Sequence, residues 1–372
     1  MAAIYQNAYV TLAATGSSVS DDGFVSNIET GNTEHQFIGI SPDGTKYPVY
    51  ARPKLRHSFT VDDKSPLLKR GWVYQERLLS PRILHFGSQE LWWECNKTCE
   101  CECGHYWGEY MDMPKEFHHS VLASPNLDRL PQRWRCVVEE YSQLNLTRKS
   151  DRLPALSGIA KQFHRIRPCR YLFGLWEDTL VEDLCWTTYH PSIYQSTDKR
   201  GPSWSWVSVD GAVGYPGNDQ LCILPVHFQG DKYCRALNAQ WTSTGLDTIG
   251  KIGSGALLIS AWIVHAILLP IQYDFAHAAH PKSVLSRQYN IRASNVIASS
   301  FMEDHLLSES DKVDRTIFCI LDEEDYAIAL KCIDSANNAF ERIGFATWTN
   351  RESVSQEREW HSEGQQQLIT LV

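Results

Sequence analysis

The sequence predicts an α/β chain, α+β overall, in which a sheet with helices comes first and a mainly β region follows. Three observations carry this reading. Apolar residues at helical spacing fall in the first half, at 66–79, 131–144 and 153–166. From about residue 171 they come instead in short extended runs such as "ALLISAWIV", "TIFCIL" and "YAIALKCI". No internal repeat is present that would point to a solenoid or a propeller.

Taken in order, the opening "AAIYQNAYVTLAA" reads as the end of a helix running into a short strand, with Tyr9, Val10, Thr11 and Leu12 favouring the extended state. A strand this early needs a partner later in the chain, or marks a fold whose first part is missing. Residues 15–64 are rich in Ser, Gly, Asp and Pro and read as a long excursion with short strands at "QFIGIS" and "YPVYAR". Ser65 before Pro66 is a helix-start signal and Ser80-Pro81 a stop, so a helix is expected over 66–79. On it Trp72 and Glu76 are four apart and share a face, with Leu68 and Leu79 nearby. "RILHF" and "ELWWEC" read as a hairpin, with Ile83 and His85 on one side and Leu84 and Phe86 on the other unless a bulge intervenes.

Two helices follow, "PQRWRCVVEEYSQL" and "LPALSGIAKQFHRI", expected to pack together, with Asp151 as N-cap of the second. Then come "YLFGLW", a helical "EDLCW", an extended "GPSWSWVSVDG", "QLCILPVHF" and the long β runs. The expected organisation is 1–110, a helical connector at 111–170, and a mainly β region at 171–372.

With 372 residues, 43% hydrophobic and 21% charged, the chain can bury a sizeable core in one elaborate domain or two modest ones. A net charge of -9 without a basic stripe argues against nucleic acid, whose phosphates demand clustered Lys and Arg. The N-terminus lacks the basic region of a secretory signal, and the longest apolar run, 256–270, is short of the roughly 20 residues that span a bilayer. A cytoplasmic address is expected. The partner classes left open are a protein, a small-molecule substrate, and a second copy in a homo-oligomer.

Seven of the eleven cysteines, at Cys136, Cys169, Cys185, Cys222, Cys234, Cys319 and Cys332, lie among apolar neighbours and read as small buried hydrophobes. The other four cluster. Cys95, Cys99, Cys101 and Cys103, with His105 two residues on, offer soft ligands in a span that could wrap Zn²⁺, although the C-x3-C-x-C-x-C spacing lacks paired C-x2-C knuckles. Glu94, Glu100 and Glu102 make an exposed acidic loop the competing reading. Ser157 and His164 share a helix face without a G-x-S-x-G elbow and read as packing. Trp204 and Trp206 with Asp210 could line a small-molecule pocket, or form a packed strand.

The ordered combination of "IYQNAYVTLAA", "RGWVYQERLLSPRILHFG", "LWWEC", "LPALSGIA", "YLFGLW" and "PSWSWVSVDG" resembles the fungal heterokaryon incompatibility (HET) domain family and its C-terminal extension over most of the chain. The resemblance implies a cell-death or incompatibility effector of filamentous fungi. HET domains in turn resemble the TIR fold of innate immunity, a flavodoxin-like sheet, so residues 1–110 would be a partial TIR/flavodoxin-like sheet. The family's opening Y-x-x-L-S-Y-x-W-G and W-I-D-x-x-C-I-N-Q segments have no counterpart here, which implies that the first half of that sheet is absent. Some TIR members cleave NAD through the glutamate of a WxxxE helix, and Trp72-Val73-Tyr74-Gln75-Glu76 matches that pattern.

On this resemblance NAD is the candidate substrate and Glu76 the catalytic candidate, its carboxylate opposing the positive charge that develops as the nicotinamide–ribose bond breaks. A Glu beside Arg77 and Arg82 reads equally as a structural ion pair. The candidate substrate-binding set is Trp72, Arg77, Arg82, Trp204, Trp206 and Asp210, drawn from the 66–79 helix, its flank and the Trp204–Trp206 segment. Two functions stay open: a HET-type signalling protein acting on a partner, with or without residual NAD cleavage, or a HET-like enzyme turned to secondary metabolism.

Overall fold

The structure is a computed structural model that describes residues 1–19, 23–24, 35–51, 65–104, 114–124, 126–189, 201–216, 233–242, 254–270, 289–293, 296–305, 307, 316–321, 326–347 and 364–372. It is an α+β protein of two units, Met1–Pro125 with Leu144–Leu146, and Asn126–Gln143 with Thr147–Val372. "QLCILPVHF" lies outside the described residues.

The first unit opens with α1 (Ala2–Gln6) and β1 (Thr11–Ala13), as the sequence suggests. β2 (His35–Ile40) and β3 (Lys46–Ala51) form a separate antiparallel hairpin whose turn is closed by Gly44, at φ +86. Its side chains alternate nothing inward: Phe37, Ile38, Ile40, Tyr47, Val49 and Tyr50 are all exposed.

The expected 66–79 helix is present in two pieces. A 3-10 turn, Pro66–Lys69, is followed by α2 (Gly71–Leu79), with Arg70 between them in extended backbone. The break has a tertiary cause. The N–H of Gly71 donates to the carbonyl of Asn145 at 2.8 Å, and the N–H of Asn145 donates to the carbonyl of Lys69 at 2.7 Å. Those groups are thereby taken from helical partners. Ser65 supplies no side-chain cap bond. α2 ends as expected: the Ser80 N–H and hydroxyl both bond to the Glu76 carbonyl, and Pro81 has no N–H with which to continue.

β4 (Arg82–Phe86) and β5 (Leu91–Cys95) form the expected hairpin, in register from Arg82 opposite Cys95 to Phe86 opposite Leu91 without a bulge. Ile83 and His85 point into the core while Leu84 and Phe86 are half-exposed, the alternation the sequence suggests. β6 (Cys99–Cys101) adds antiparallel to β5, and β1 adds parallel to β4, giving the order β1-β4-β5-β6. α3 (Pro114–Leu122) packs against α2.

The second unit begins with α4 (Arg129–Ser142) and α5 (Ser157–Ile166), which meet through Trp134 set edge-on to Phe163 at 5.2 Å. Asp151 is not the cap of α5: it belongs to a 3-10 turn at 149–151, and a second such turn, Pro154–Leu156, leads into the helix. β7 (Tyr171–Leu172) and β8 (Leu175–Trp176) form a two-residue hairpin through Phe173 (φ +50) and Gly174 (φ +97), the left-handed pair that matches strand twist. The Gly174 carbonyl accepts the indole N–H of both Trp134 and Trp206. Trp204 to Val209 is not the expected extended segment but a 3-10 turn, Trp206–Ser208. Its N-cap Ser205 accepts the Val207 N–H through its side chain, a local bond that competes with strand formation.

A short α6 (Leu180–Asp183) follows, then β9 (Thr187–Thr188) paired with β10 (Val213–Gly214). Nine strands make the remaining sheet: β11 (Cys234–Thr242), β12 (Ser254–His265), β13 (Ile267–Pro270), β14 (Tyr289–Ala293), β15 (Val296–Glu303), β16 (Thr316–Ile320), β17 (Tyr326–Asp334), β18 (Ala339–Thr347) and β19 (Gln365–Leu371). β12 pairs with β16, β16 with β17, β17 with β18, β18 with β19, and β19 returns to β12, so these five close a barrel-like ring. Along β12, Leu257, Ile259, Ala261 and Ile263 are buried at alternate positions. Of the scattered cysteines, Cys185, Cys234 and Cys319 are buried thiols, Cys169 and Cys332 are half-buried, and Cys136 is disulfide-bonded rather than free.

Candidate functional site

Within α2 every residue is buried except Trp72 and Glu76, which are half-exposed and lie one turn apart on the same side. The remaining positions, Val73, Tyr74, Leu78 and Leu79 among them, face the core. The helix therefore presents one indole and one carboxylate to solvent. α1 packs beside it and brings Tyr5 close enough to Glu76 to feel the carboxylate charge. Tyr5 is pushed up to about 12, first by burial and then by the nearby Glu76 charge, so its hydroxyl stays protonated across the neutral range. Sequence reading missed Tyr5, because nothing in the short N-terminal segment tells which helix it packs on.

Arg77, next along the helix, points the other way. It makes a bidentate ion pair with Glu94 of β5, Nε to Oε2 and Nη2 to Oε1, both at 2.8 Å, with both side chains buried. His85 continues the chain: its Nε2 lies 3.1 Å from Glu94 Oε2 and its Nδ1 lies 2.8 Å from the Thr15 hydroxyl, while its ring stacks on Trp92 at 4.7 Å. Lys115 of α3 donates to the carbonyls of Arg77 and Ser80 at the C-terminus of α2, where a cation complements the helix dipole.

The charges of this network follow from burial and partners. Burial alone would raise the Glu94 carboxyl, but the Arg77 charge and the hydrogen bonds from His85 and Arg77 win, holding it well below the usual carboxylate range. Burial pushes His85 down, helped by Arg77 and Lys115 and opposed by Glu94. The ring is then neutral at pH 7, donating from Nε2 to Glu94 and accepting the Thr15 proton at Nδ1. Burial also lowers Lys115 to about 8, with Arg77 acting in the same sense and Glu94 against it. The hydroxyl–imidazole–carboxylate order is that of an activated nucleophile. Thr15 is wholly buried, however, and Glu94 is committed to Arg77, so this set serves as a structural brace.

The other sequence candidates sit elsewhere. Arg82 is exposed, its guanidinium 5.1 Å from the centre of the Tyr9 ring and bonded to the Tyr9 carbonyl. Trp204 and Trp206 belong to the second unit and are fully buried: Trp204 packs edge-on to Phe173, and Trp206 packs on Tyr141. Asp210 pairs with Lys149 near the surface. Ser157 donates to the Pro154 carbonyl and His164 bonds the Cys169 carbonyl, so the two are held locally and not to each other.

Of the cysteine set, Cys99 is buried and burial drives its thiol far up, away from thiolate. Cys95 is half-buried at the end of β5. Cys101 and Cys103 bring their sulfurs to 3.1 Å, and Glu90 joins them: the three donor atoms lie within 4.8 Å of one another. Glu90 was not among the sequence candidates, and His105 lies outside the described residues. Among the described residues no helix is long and apolar enough to cross a membrane.

No curated protein matches the chain, and no solved structure matches it. Residues 1–76, from α1 through Glu76 itself, match the family model described as Heterokaryon incompatibility protein (HET), and that part of the chain is accordingly similar to a partial HET domain.

Proposed function

We propose that this chain is an effector of the heterokaryon incompatibility type, and that Glu76 is its catalytic carboxylate for hydrolysing the nicotinamide–ribose bond of NAD. The observation that carries the reading is the pairing of the HET match over 1–76 with α2, which exposes Trp72 and Glu76 alone. In the reaction the bond from the anomeric carbon to the nicotinamide nitrogen breaks, nicotinamide leaves with the bonding electrons, and water adds to the ribosyl carbon. The products are nicotinamide, ADP-ribose and a proton. Glu76 opposes the charge that builds on the ribose ring, the protonated Tyr5 hydroxyl lies near the carboxylate, and the Trp72 indole offers an apolar wall.

Partner contact is the other half of an effector, and the exposed apolar side chains of the β2–β3 hairpin support it. The test is incubation of the purified chain, and of its Glu76→Ala variant, with NAD, followed by chromatography for nicotinamide. Release by the native chain that falls at least a hundredfold in the variant is the expected result. Absence of release, or equal release from both, overturns the catalytic part.

A further inference from the structure

A second site is built where β6 turns back toward the β4–β5 loop. Cys101 ends β6, and Cys101 to Gly104 form a turn closed by the Gly104 N–H donating to the Cys101 carbonyl at 3.0 Å. Gly104 takes φ +70, which a side chain would strain. The turn puts Cys101 and Cys103 side by side with their sulfurs 3.1 Å apart. Glu90 is held to it from the opposite loop: the Cys103 N–H donates to Glu90 Oε2 at 3.1 Å, and the Glu90 carbonyl accepts from Gly87. Two further bonds lock the loops together, Leu91 N–H to the Glu102 carboxylate and Glu102 N–H to the Leu91 carbonyl. All three ligand side chains are half-buried, so an ion can reach them.

We infer that Glu90, Cys101 and Cys103 form a site for a thiophilic divalent cation, Zn²⁺ by donor chemistry, with water completing the coordination. Two sulfurs and one carboxylate are a donor set that zinc accepts, and three protein ligands leave its fourth position open. In a tetrahedron with Zn–S of about 2.3 Å the sulfurs stand about 3.8 Å apart, so loading spreads the pair from 3.1 Å by about 0.7 Å. Binding converts both thiols to thiolates and releases two protons, leaving the assembly of two thiolates, one carboxylate and Zn²⁺ with a net charge of -1. The competing chemistry is a disulfide between the same sulfurs, which an oxidant would have to supply. It gives no role to the convergent carboxylate.

The ligand set differs from one made of all four clustered cysteines, because the buried Cys99 sulfur is not among the donor atoms that converge. The experiment uses the full chain, reduced and freed of metal, titrated with Zn²⁺ in equilibrium dialysis and with Co²⁺ for its thiolate charge-transfer absorption. One ion per chain with that absorption is expected. Cys101→Ser and Cys103→Ser should each weaken binding on the order of a hundredfold, Glu90→Gln should weaken it measurably, and Cys95→Ser should leave it unchanged. Circular dichroism of each variant checks that the fold persists. No stoichiometric uptake by the reduced chain, uptake that survives Cys101→Ser in a folded protein, loss on Cys95→Ser, or a Cys101–Cys103 disulfide in place of metal each overturns the site.

Discussion

Replacing Glu94 by Gln removes one charge from the buried Arg77–Glu94 pair while keeping its shape. Both nitrogen-to-oxygen contacts are 2.8 Å, and the two side chains are 9% and 3% exposed, so water cannot solvate the guanidinium left behind. Breaking a buried pair by neutralising one partner costs about 3–5 kcal/mol. His85 also loses the carboxylate that its Nε2 faces, which places the expectation in the upper half of that range. At 1.4 kcal/mol per factor of ten, about 4 kcal/mol accelerates local opening roughly a thousandfold. Amide hydrogen exchange followed by mass spectrometry reads this directly, on peptides covering β4 and β5, without requiring the two units to unfold together. The double variant Arg77→Met, Glu94→Leu fills the space with apolar atoms and should recover most of the loss, since paired apolar replacement is often neutral. Exchange in Glu94→Gln within threefold of the native chain would refute the brace, as would a double variant that costs the sum of the two singles.

The remaining predictions concern charge, backbone and site. Because His85 is depressed in the folded state, the unfolded chain binds the extra proton below its ordinary 6.5, and stability of the first unit is lost as pH falls below that value. The loss is read as a fall in β4 amide protection between pH 6.5 and 5.5 after correction for intrinsic exchange, and His85→Gln should diminish it. Gly174→Ala combines φ +97 with a Cβ placed 2.4 Å from Trp206 Nε1, so a loss of at least about 2 kcal/mol and a lower melting temperature are expected. A melting temperature within a degree of native would show that the turn is not constrained as described. Glu76→Ala, at a half-exposed position, should change stability by no more than about 1 kcal/mol, so any lost NAD cleavage reports chemistry rather than unfolding.

Periodicity made the local elements legible in the sequence. The alternation of Ile83, Leu84, His85 and Phe86 predicts both the hairpin and which side is buried, because a two-residue period has only two outcomes. The stop at Ser80-Pro81 follows from chemistry confined to four residues. What failed depends on distant groups or on local competition. The helix breaks at Arg70 because Asn145, 75 positions away in the chain, takes the backbone bonds on either side. Trp204 to Val209 alternates as a strand would, yet the Ser205 hydroxyl bonds within the segment and to the Phe173 carbonyl.

At the candidate site, Trp72 and Glu76 were visible through their four-residue spacing. Tyr5 and Glu90 were not, since each is brought to its partner by packing rather than by spacing. The Arg77–Glu94 pair left one usable trace: Arg77 sits four positions after Val73 and four before Pro81, on the inward face, where a cation must find a buried anion.

The ring in the second unit sets an order on biosynthesis. Among the described residues β19 alone pairs with both β12 and β18, through Leu257 to Ile263 on one side and Ala339 and Phe340 on the other. A ribosome delivers residues 365–371 after every other strand of that ring. Until they emerge, β12 presents a seven-residue open edge beside an apolar interior, the kind of template on which nascent chains adhere to one another. Closure thus waits on β19, and removing residues 365–371 should yield an aggregate rather than a slightly shortened protein.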